Sequence, residues 1–149
     1  MSSVKIAKKK QAVLFTLTEG SEIQGEVSLE LYSTNRIGAQ RIDELLNEGN
    51  RFIPVGTDDG FILLNTTHIM LAKTKLVVDD HDLIMLGEKY RVGITTLLNE
   101  SIEADVFVSL PEGFLRVKDY LNQSVRFFTF FLQEYVLYVN REFILYLRD

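Results

Sequence analysis

Cysteine is absent from this chain of 149 residues, so disulfide bonds, thiol catalysis and thiolate metal sites are excluded. No apolar run approaches the roughly 18 residues that a membrane-spanning helix needs. The first ten residues, MSSVKIAKKK, lack the apolar segment of a secretory signal. We therefore expect a cytoplasmic protein without a membrane span.

Histidine is scarce as well, since only His68 and His81 are present. His81 stands among the acidic residues 79–82, whose carboxylates are possible ligands for a hard cation. This stretch lacks the glycine and the distant glutamate of an EF-hand loop, and we interpret it as a solvated acidic loop. The chain also has no G-x-S-x-G motif and no glycine-rich phosphate loop leading into a helix. The sequence predicts no enzyme, no metal site and no cofactor.

The net charge is −5, and it is unevenly placed. Residues 1–75 carry nine basic and nine acidic side chains, so the whole acidic excess lies in residues 76–149. Because an acidic protein repels phosphate backbones, we do not expect nucleic acid as a partner. We interpret residues 1–10, which contain four lysines, as a basic and solvated N-terminal tail.

An internal repeat is the strongest signal in the sequence. When residues 41–73 are aligned without a gap to residues 116–148, seven positions are identical. These are Arg41 and Arg116, Leu46 and Leu121, Asn47 and Asn122, Arg51 and Arg126, Phe52 and Phe127, Asn65 and Asn140, and Ile69 and Ile144. Upstream, residues 23–31 match residues 102–110 at an offset of 79, which places a four-residue length difference in a loop. The alignment predicts a tandem duplication.

Each copy reads as five short strands and one helical turn. In the first copy we predict strands at 12–18, 26–31, 51–57 and 61–65 and from Ile69 onward, with a helical turn at 41–47. In the second we predict strands at 90–97 and 103–110 and a helical turn at 116–122. Gly20 and Asn99 are expected to turn the first hairpin of each copy with a positive φ, and Asn47 to end its helix in the left-handed region.

The predicted fold class is therefore mainly β: a tandem duplication of a small, five-stranded, strongly bent sheet or partly open barrel. Residues 11–75 form the first module, 76–89 an apolar and acidic joint, and 90–149 the second module. At this level the module looks like Src-homology-3-like and Sm-like proteins, a likeness of topology that does not give a function.

A further resemblance is carried by residues 41–47 (RIDELLN), 51–55 (RFIPV) and 63–65 (LLN) and by Ile69. They resemble an uncharacterised bacterial family of small β modules with an R-[LI]-x-[DE]-x-L-N element followed by an F-[IL]-P-[LV] strand. The second copy departs from it, with Thr129 in place of Pro54 and Lys118 in place of Asp43. The resemblance supports the module and implies no reaction.

Four arginines occupy equivalent places in the two copies: Arg41, Arg51, Arg116 and Arg126. A repeated arginine can bind a carboxylate or phosphate through its guanidinium fork. It can equally brace the helical turn through backbone carbonyls or nearby acidic side chains. The first alternative predicts an anion-binding or nucleotide-binding module, and the second a structural role.

The run 127–132 (FFTFFL) is apolar on both faces, whereas a strand with one wet face alternates. By the repeat, Phe128 and Phe130 should face the module's own core, so Phe127, Thr129 and Phe131 need another partner. That partner is either the first module or a second chain in a homodimer. We therefore expect a non-catalytic binding or regulatory module that acts by protein–protein contact, with small-anion or nucleotide binding as the alternative.

Overall fold

A computed structural model provides the structure of the chain. Arg116, Lys5 and the acidic residues 79–82, for which predictions were made above, lie outside the part that it describes. The described residues are 8–34, 38–77, 84–108 and 117–148.

The described residues form one antiparallel sheet of ten strands. The strands are β1 (Lys8–Leu17), β2 (Glu22–Glu30), β3 (Phe52–Thr57), β4 (Gly60–Asn65), β5 (Ile69–Lys75), β6 (Glu88–Thr96), β7 (Ser101–Val108), β8 (Phe127–Phe131), β9 (Tyr135–Asn140) and β10 (Ile144–Arg148). Below, β1–β5 are called the first half and β6–β10 the second half. The mainly β fold class is confirmed.

Among the described residues, helical structure is limited to short segments. Helix α1 (Ile42–Asn47) precedes β3 and helix α2 (Val117–Leu121) precedes β8, where helical turns were predicted at 41–47 and 116–122. Turns of 3₁₀ helix span Thr66–His68, Ile84–Leu86 and Arg141–Phe143. In the described ranges no helix has the length and apolar character required to cross a membrane.

The strands follow the order β10-β6-β7-β8-β9-β5-β1-β2-β3-β4 across the sheet. Within each half the order is the same, since the fifth strand lies beside the first and the remaining strands follow in sequence. The halves are joined by β9 and β5, whose register runs from Leu71 opposite Val139 to Lys75 opposite Tyr135. The sheet is not closed, and β4 and β10 are its two edges.

The two halves also place corresponding elements at the offsets of the sequence repeat. The 3₁₀ turns at Thr66–His68 and Arg141–Phe143 begin 75 residues apart, as do β4 and β9. The first hairpin of each half turns through a residue with positive φ, 98° at Gly20 and 61° at Asn99, which confirms that prediction. The turns and strands of the two halves therefore occur at matching positions of the aligned sequence segments.

Within each half, the second and third strands meet at a single residue pair. Strands β2 and β3 share a single residue pair, Glu26 opposite Gly56, and β7 and β8 share only Asp105 opposite Phe131. Gly25 lies at the first of these crossings. A Cβ atom there would collide with the Val55 Cγ1 atom and would lie 2.8 Å from the Gly56 carbonyl oxygen, so only glycine lets the two strands come this close.

Two buried clusters form the core, and each takes side chains from the other half. The cluster inside the first half is centred on residues such as Phe15, Val27 and Ile53. It also contains four side chains of the second half, Phe127, Phe131, Val136 and Tyr138. The cluster inside the second half contains Met70 and Leu71 of β5. The halves therefore share their cores across the β5–β9 junction.

Two local predictions were wrong. Asn47 does not end α1 in the left-handed region; it is the last helical residue, and the positive φ of 92° belongs to Gly49. Glycine has no Cβ and adopts this φ at little cost. The first strand also begins at Lys8, so Lys8, Lys9 and Lys10 belong to β1 and its pairing with β2. Lys8 forms an ion pair with Glu30, with Nζ 3.4 Å from Oε1.

Candidate functional site

The outer face of the β3–β4 hairpin exposes an unusual amount of apolar surface. Phe52, Phe61 and Leu63 are 53%, 79% and 70% exposed and project on the side away from the buried residues Ile53 and Leu64. Strand β4 also has no proline and no charged residue that would protect an edge strand from pairing. We call Phe52, Phe61 and Leu63 the outer face; such a patch is typical of a binding surface.

The corresponding surface of the second half is covered. By the repeat, Phe52, Phe61 and Leu63 correspond to Phe127, Val136 and Tyr138, all of which are buried in the cluster of the first half. This side of the hairpin is therefore covered by the first half in β8–β9, whereas in β3–β4 it is exposed.

The predicted interface residues Phe127, Thr129 and Phe131 are buried within the chain. Phe131 packs edge to face on Phe107, with ring centroids 5.2 Å apart. Phe128 and Phe130 lie in the other cluster, so the alternation assigned to the two faces of β8 is confirmed. The partner of the first set is the first half of the same chain, and these three side chains offer no surface to a second chain.

Arg41 braces the start of α1. Its Nε atom donates to Asp43 Oδ1 at 3.0 Å and its Nη2 atom to Asp43 Oδ2 at 3.1 Å. Its backbone N–H donates to Glu44 Oε1 at 3.0 Å. The arginine side chain is 15% exposed, and the paired hydrogen bonds hold the first helical turn in place. Of the two alternatives for the repeated arginines, the structural one describes Arg41.

Arg51 and Arg126 are brought together. Both line a cleft of about 410 Å³ between the two halves, with Arg141 and Glu142 on the same wall. Three guanidinium groups against one carboxylate make the cleft electropositive. Within the described part of the chain, the side chains of Arg51 and Arg126 have no hydrogen-bond or ion-pair partner. The guanidinium carbon of Arg126 lies over the Phe127 ring, 5.8 Å from its centroid.

Asn47 forms hydrogen bonds between the two halves, and this role was not predicted from the sequence. Its Oδ1 atom accepts hydrogen bonds from the backbone N–H groups of Arg126 at 3.0 Å and Phe127 at 2.9 Å. Its Nδ2 atom donates to the Phe127 carbonyl at 3.2 Å. The repeat-related Asn122 instead donates to Lys118 O of its own helix. Asn47 and Asn122 therefore have different hydrogen-bond partners, because only Asn47 faces the other half.

Tyr120 supports β8 from α2. Its hydroxyl donates to the Thr129 carbonyl and accepts from the Thr129 N–H, at 3.1 and 3.0 Å. Burial raises the pKa of this tyrosine from 10.0 to about 12, so the phenol remains neutral. Because this neutral hydroxyl both donates and accepts a hydrogen bond, it links α2 to β8 and has a structural role.

Two further features of these surfaces, Arg141 and the outer face, were not predicted from the sequence. Arg141 has no repeated counterpart, because Thr66 stands at that position, so the repeat gave no reason to select it. The outer face could have been found, since residues 61–64 (FILL) are apolar on both faces of a strand, as the run from Phe127 is. Among the described residues, no group of three or more His, Asp or Glu side chains is arranged to hold a metal ion.

Comparison with known proteins gives no assignment, because no family model, no curated protein and no solved structure matches the chain. The resemblance of residues 41–69 to a family of small bacterial β modules therefore stays a prediction.

Proposed function

We propose that this chain is a tandem duplication of one five-stranded module and acts as a non-catalytic protein-interaction module in the bacterial cytoplasm. The single observation behind this proposal is the contrast between the two hairpins. The side of β8–β9 that is buried on the other module corresponds to an exposed apolar side of β3–β4. An unprotected edge strand beside such a patch can accept a strand from a partner.

Comparative co-purification tests this function. Tagged wild-type protein and a tagged Leu63→Lys variant are used as baits in the same bacterial extract, and mass spectrometry quantifies what each retains. We expect the wild-type bait to retain partner proteins, including untagged copies of this chain. The Leu63→Lys bait should not retain them. The same retention by both baits would show that the outer face is not the contact surface.

A second candidate function is the binding of a small anion or nucleotide in the arginine cleft. It is favoured by the convergence of Arg51, Arg126 and Arg141, two of which have no other polar side-chain partner in the described ranges. A planar guanidinium pair suits a phosphate group. Calorimetric titration with pyrophosphate and with ATP tests it, using Arg51→Gln and Arg126→Gln.

The matched control for this titration is Arg91→Gln. Arg91 is exposed, is paired with Glu103 and Asp105, and lies outside the cleft. Binding that both cleft substitutions weaken and Arg91→Gln leaves intact supports the anion site. No heat of binding with either ligand, or equal weakening by all three substitutions, would eliminate it.

A further inference from the structure

Within the chain, β9 of the second half pairs with β5 of the first half, and this junction is built from elements that each half possesses. The first half has its own counterpart of β9, namely β4, and the second half its own counterpart of β5, namely β10. Both counterparts are the edges of the sheet. Each edge of the sheet therefore carries one of the two strands that such a junction needs, and the outer side of that strand is unpaired in the sheet.

The pairing of β10 with its inner neighbour reproduces that of β5. In the first half, Leu17 lies opposite Ile69 and Thr16 opposite Leu71. In the second half, Thr96 lies opposite Ile144 and Thr95 opposite Tyr146. Each pair is related by the repeat offsets, including the irregularity between the two positions. The outer edge of β10 is therefore presented in the geometry that β5 uses to receive β9.

We propose that this chain binds a second copy of itself head to tail, with β10 of one chain pairing antiparallel with β4 of the next. The proposal rests on the proposed function and names the partner of its outer face. The internal pairs Leu71–Val139 and Ala72–Tyr138, moved by 75 residues, place Tyr146 opposite Leu64 and Leu147 opposite Leu63.

The exposed side chains fit this register. In the internal junction, Tyr138 is buried in the cluster of the first half and Met70 in that of the second. Their counterparts are Leu63 and Leu145, which are 70% and 55% exposed. In the assembled form Leu63 enters the second-half core of the neighbouring chain, and Leu145 enters the first-half core of the other. Burying these leucines supplies the driving force.

The side chains that form polar contacts at the internal junction also have counterparts near the two edges of the sheet. Asn140 Nδ2 donates to the Ile69 carbonyl at 3.0 Å across the junction. The corresponding amide of Asn65 has no such partner in the described part of the chain and would reach the Ile144 carbonyl of the next chain. Asn122 would likewise exchange its bond to Lys118 for the backbone of Arg51 and Phe52, as Asn47 does with Arg126 and Phe127.

A second copy of this chain fits β4 better than an unrelated protein does. Each chain carries β10, the counterpart of the strand β5 with which β9 pairs. The contact is heterologous: it joins two different edges, so it leaves one free edge of each kind after every addition. Such contacts close into a ring or continue as a filament.

The test uses one substitution at each edge, Leu63→Lys on β4 and Leu145→Lys on β10. Both side chains are exposed within the chain, so the variants should keep the wild-type circular dichroism and unfolding midpoint at high dilution. By native mass spectrometry and light scattering, we expect the wild type to be assembled and each variant to be monomeric. Leu86 is 79% exposed and lies away from both edges, so Leu86→Lys is the control that should remain assembled.

Mixing the two variants gives the decisive result. Each retains the edge that the other has lost, so an equimolar mixture should form a heterodimer of one chain of each kind and stop there. A monomeric wild type, assembly that only one of the two substitutions abolishes, or a mixture that stays monomeric would overturn the proposal. If the wild type is monomeric but its bait still retains other proteins through Leu63, the head-to-tail contact fails and the proposed function stands.

Discussion

Replacing Asn47 by alanine tests how much the hydrogen bonds of this side chain between the two halves contribute to stability. The substitution removes the acceptor of the Arg126 and Phe127 N–H groups and the donor to the Phe127 carbonyl. A buried backbone group left without a partner costs about 1–3 kcal/mol, and this site is only partly buried, so each orphaned N–H should cost near the lower limit. We expect Asn47→Ala to lower the free energy of unfolding by about 2–3 kcal/mol.

Asn122→Ala is the matched control, because Asn122 is the same residue at the equivalent position and is exposed. It donates only to the Lys118 carbonyl of its own helix, at 2.8 Å. Its loss should cost less than about 0.5 kcal/mol, as is usual for surface substitutions. Both variants are made in the Leu63→Lys background, so that contacts between chains do not contribute.

Urea denaturation followed by circular dichroism gives the measurement, since a changed midpoint at constant slope reports stability alone. The contrast between the two asparagines is the result that matters. Equal losses for Asn47→Ala and Asn122→Ala would refute the reasoning, because they would show that the bonds across the junction add nothing to an ordinary helix-terminal asparagine.

Two further predictions concern the crossing of the strands and the support of β8. Gly25→Ala should lower the unfolding free energy by about 1–3 kcal/mol, because its methyl overlaps Val55. Gly93→Ala, whose methyl meets no atom nearer than 3.6 Å, should leave the melting temperature unchanged or slightly raised. Tyr120→Phe should cost about 1–2 kcal/mol by leaving the Thr129 backbone unpaired. Because the folded-state pKa of Tyr120 is raised from 10.0 to about 12, its contribution is complete below pH 10 and declines as the pH rises towards 12. Urea titrations at several alkaline pH values should show this extra decline in the wild type and not in Tyr120→Phe.

Local structure followed from the sequence because its causes are local. The predicted strands at 12–18 and 26–31, those at 51–57 and 61–65, and the predicted helical turn at 41–47 correspond to two hairpins and a helix of the structure. Asn99 was expected to have a positive φ from its alignment with Gly20, and it does. Each of these features depends on a few neighbouring residues and on backbone preferences that do not change with context.

The tertiary structure alone decided what the equivalent residues of the two halves contact. Asn47 and Asn122 share a residue type and a helix, but only Asn47 reaches the backbone of the other half. The sequence showed that one face of β8 needed a partner, but it left the choice between the first module and a second chain open. That choice depends on which edge strands pair, and periodicity describes one strand at a time, so only the assembled sheet places β9 beside β5 and leaves β4 and β10 uncovered.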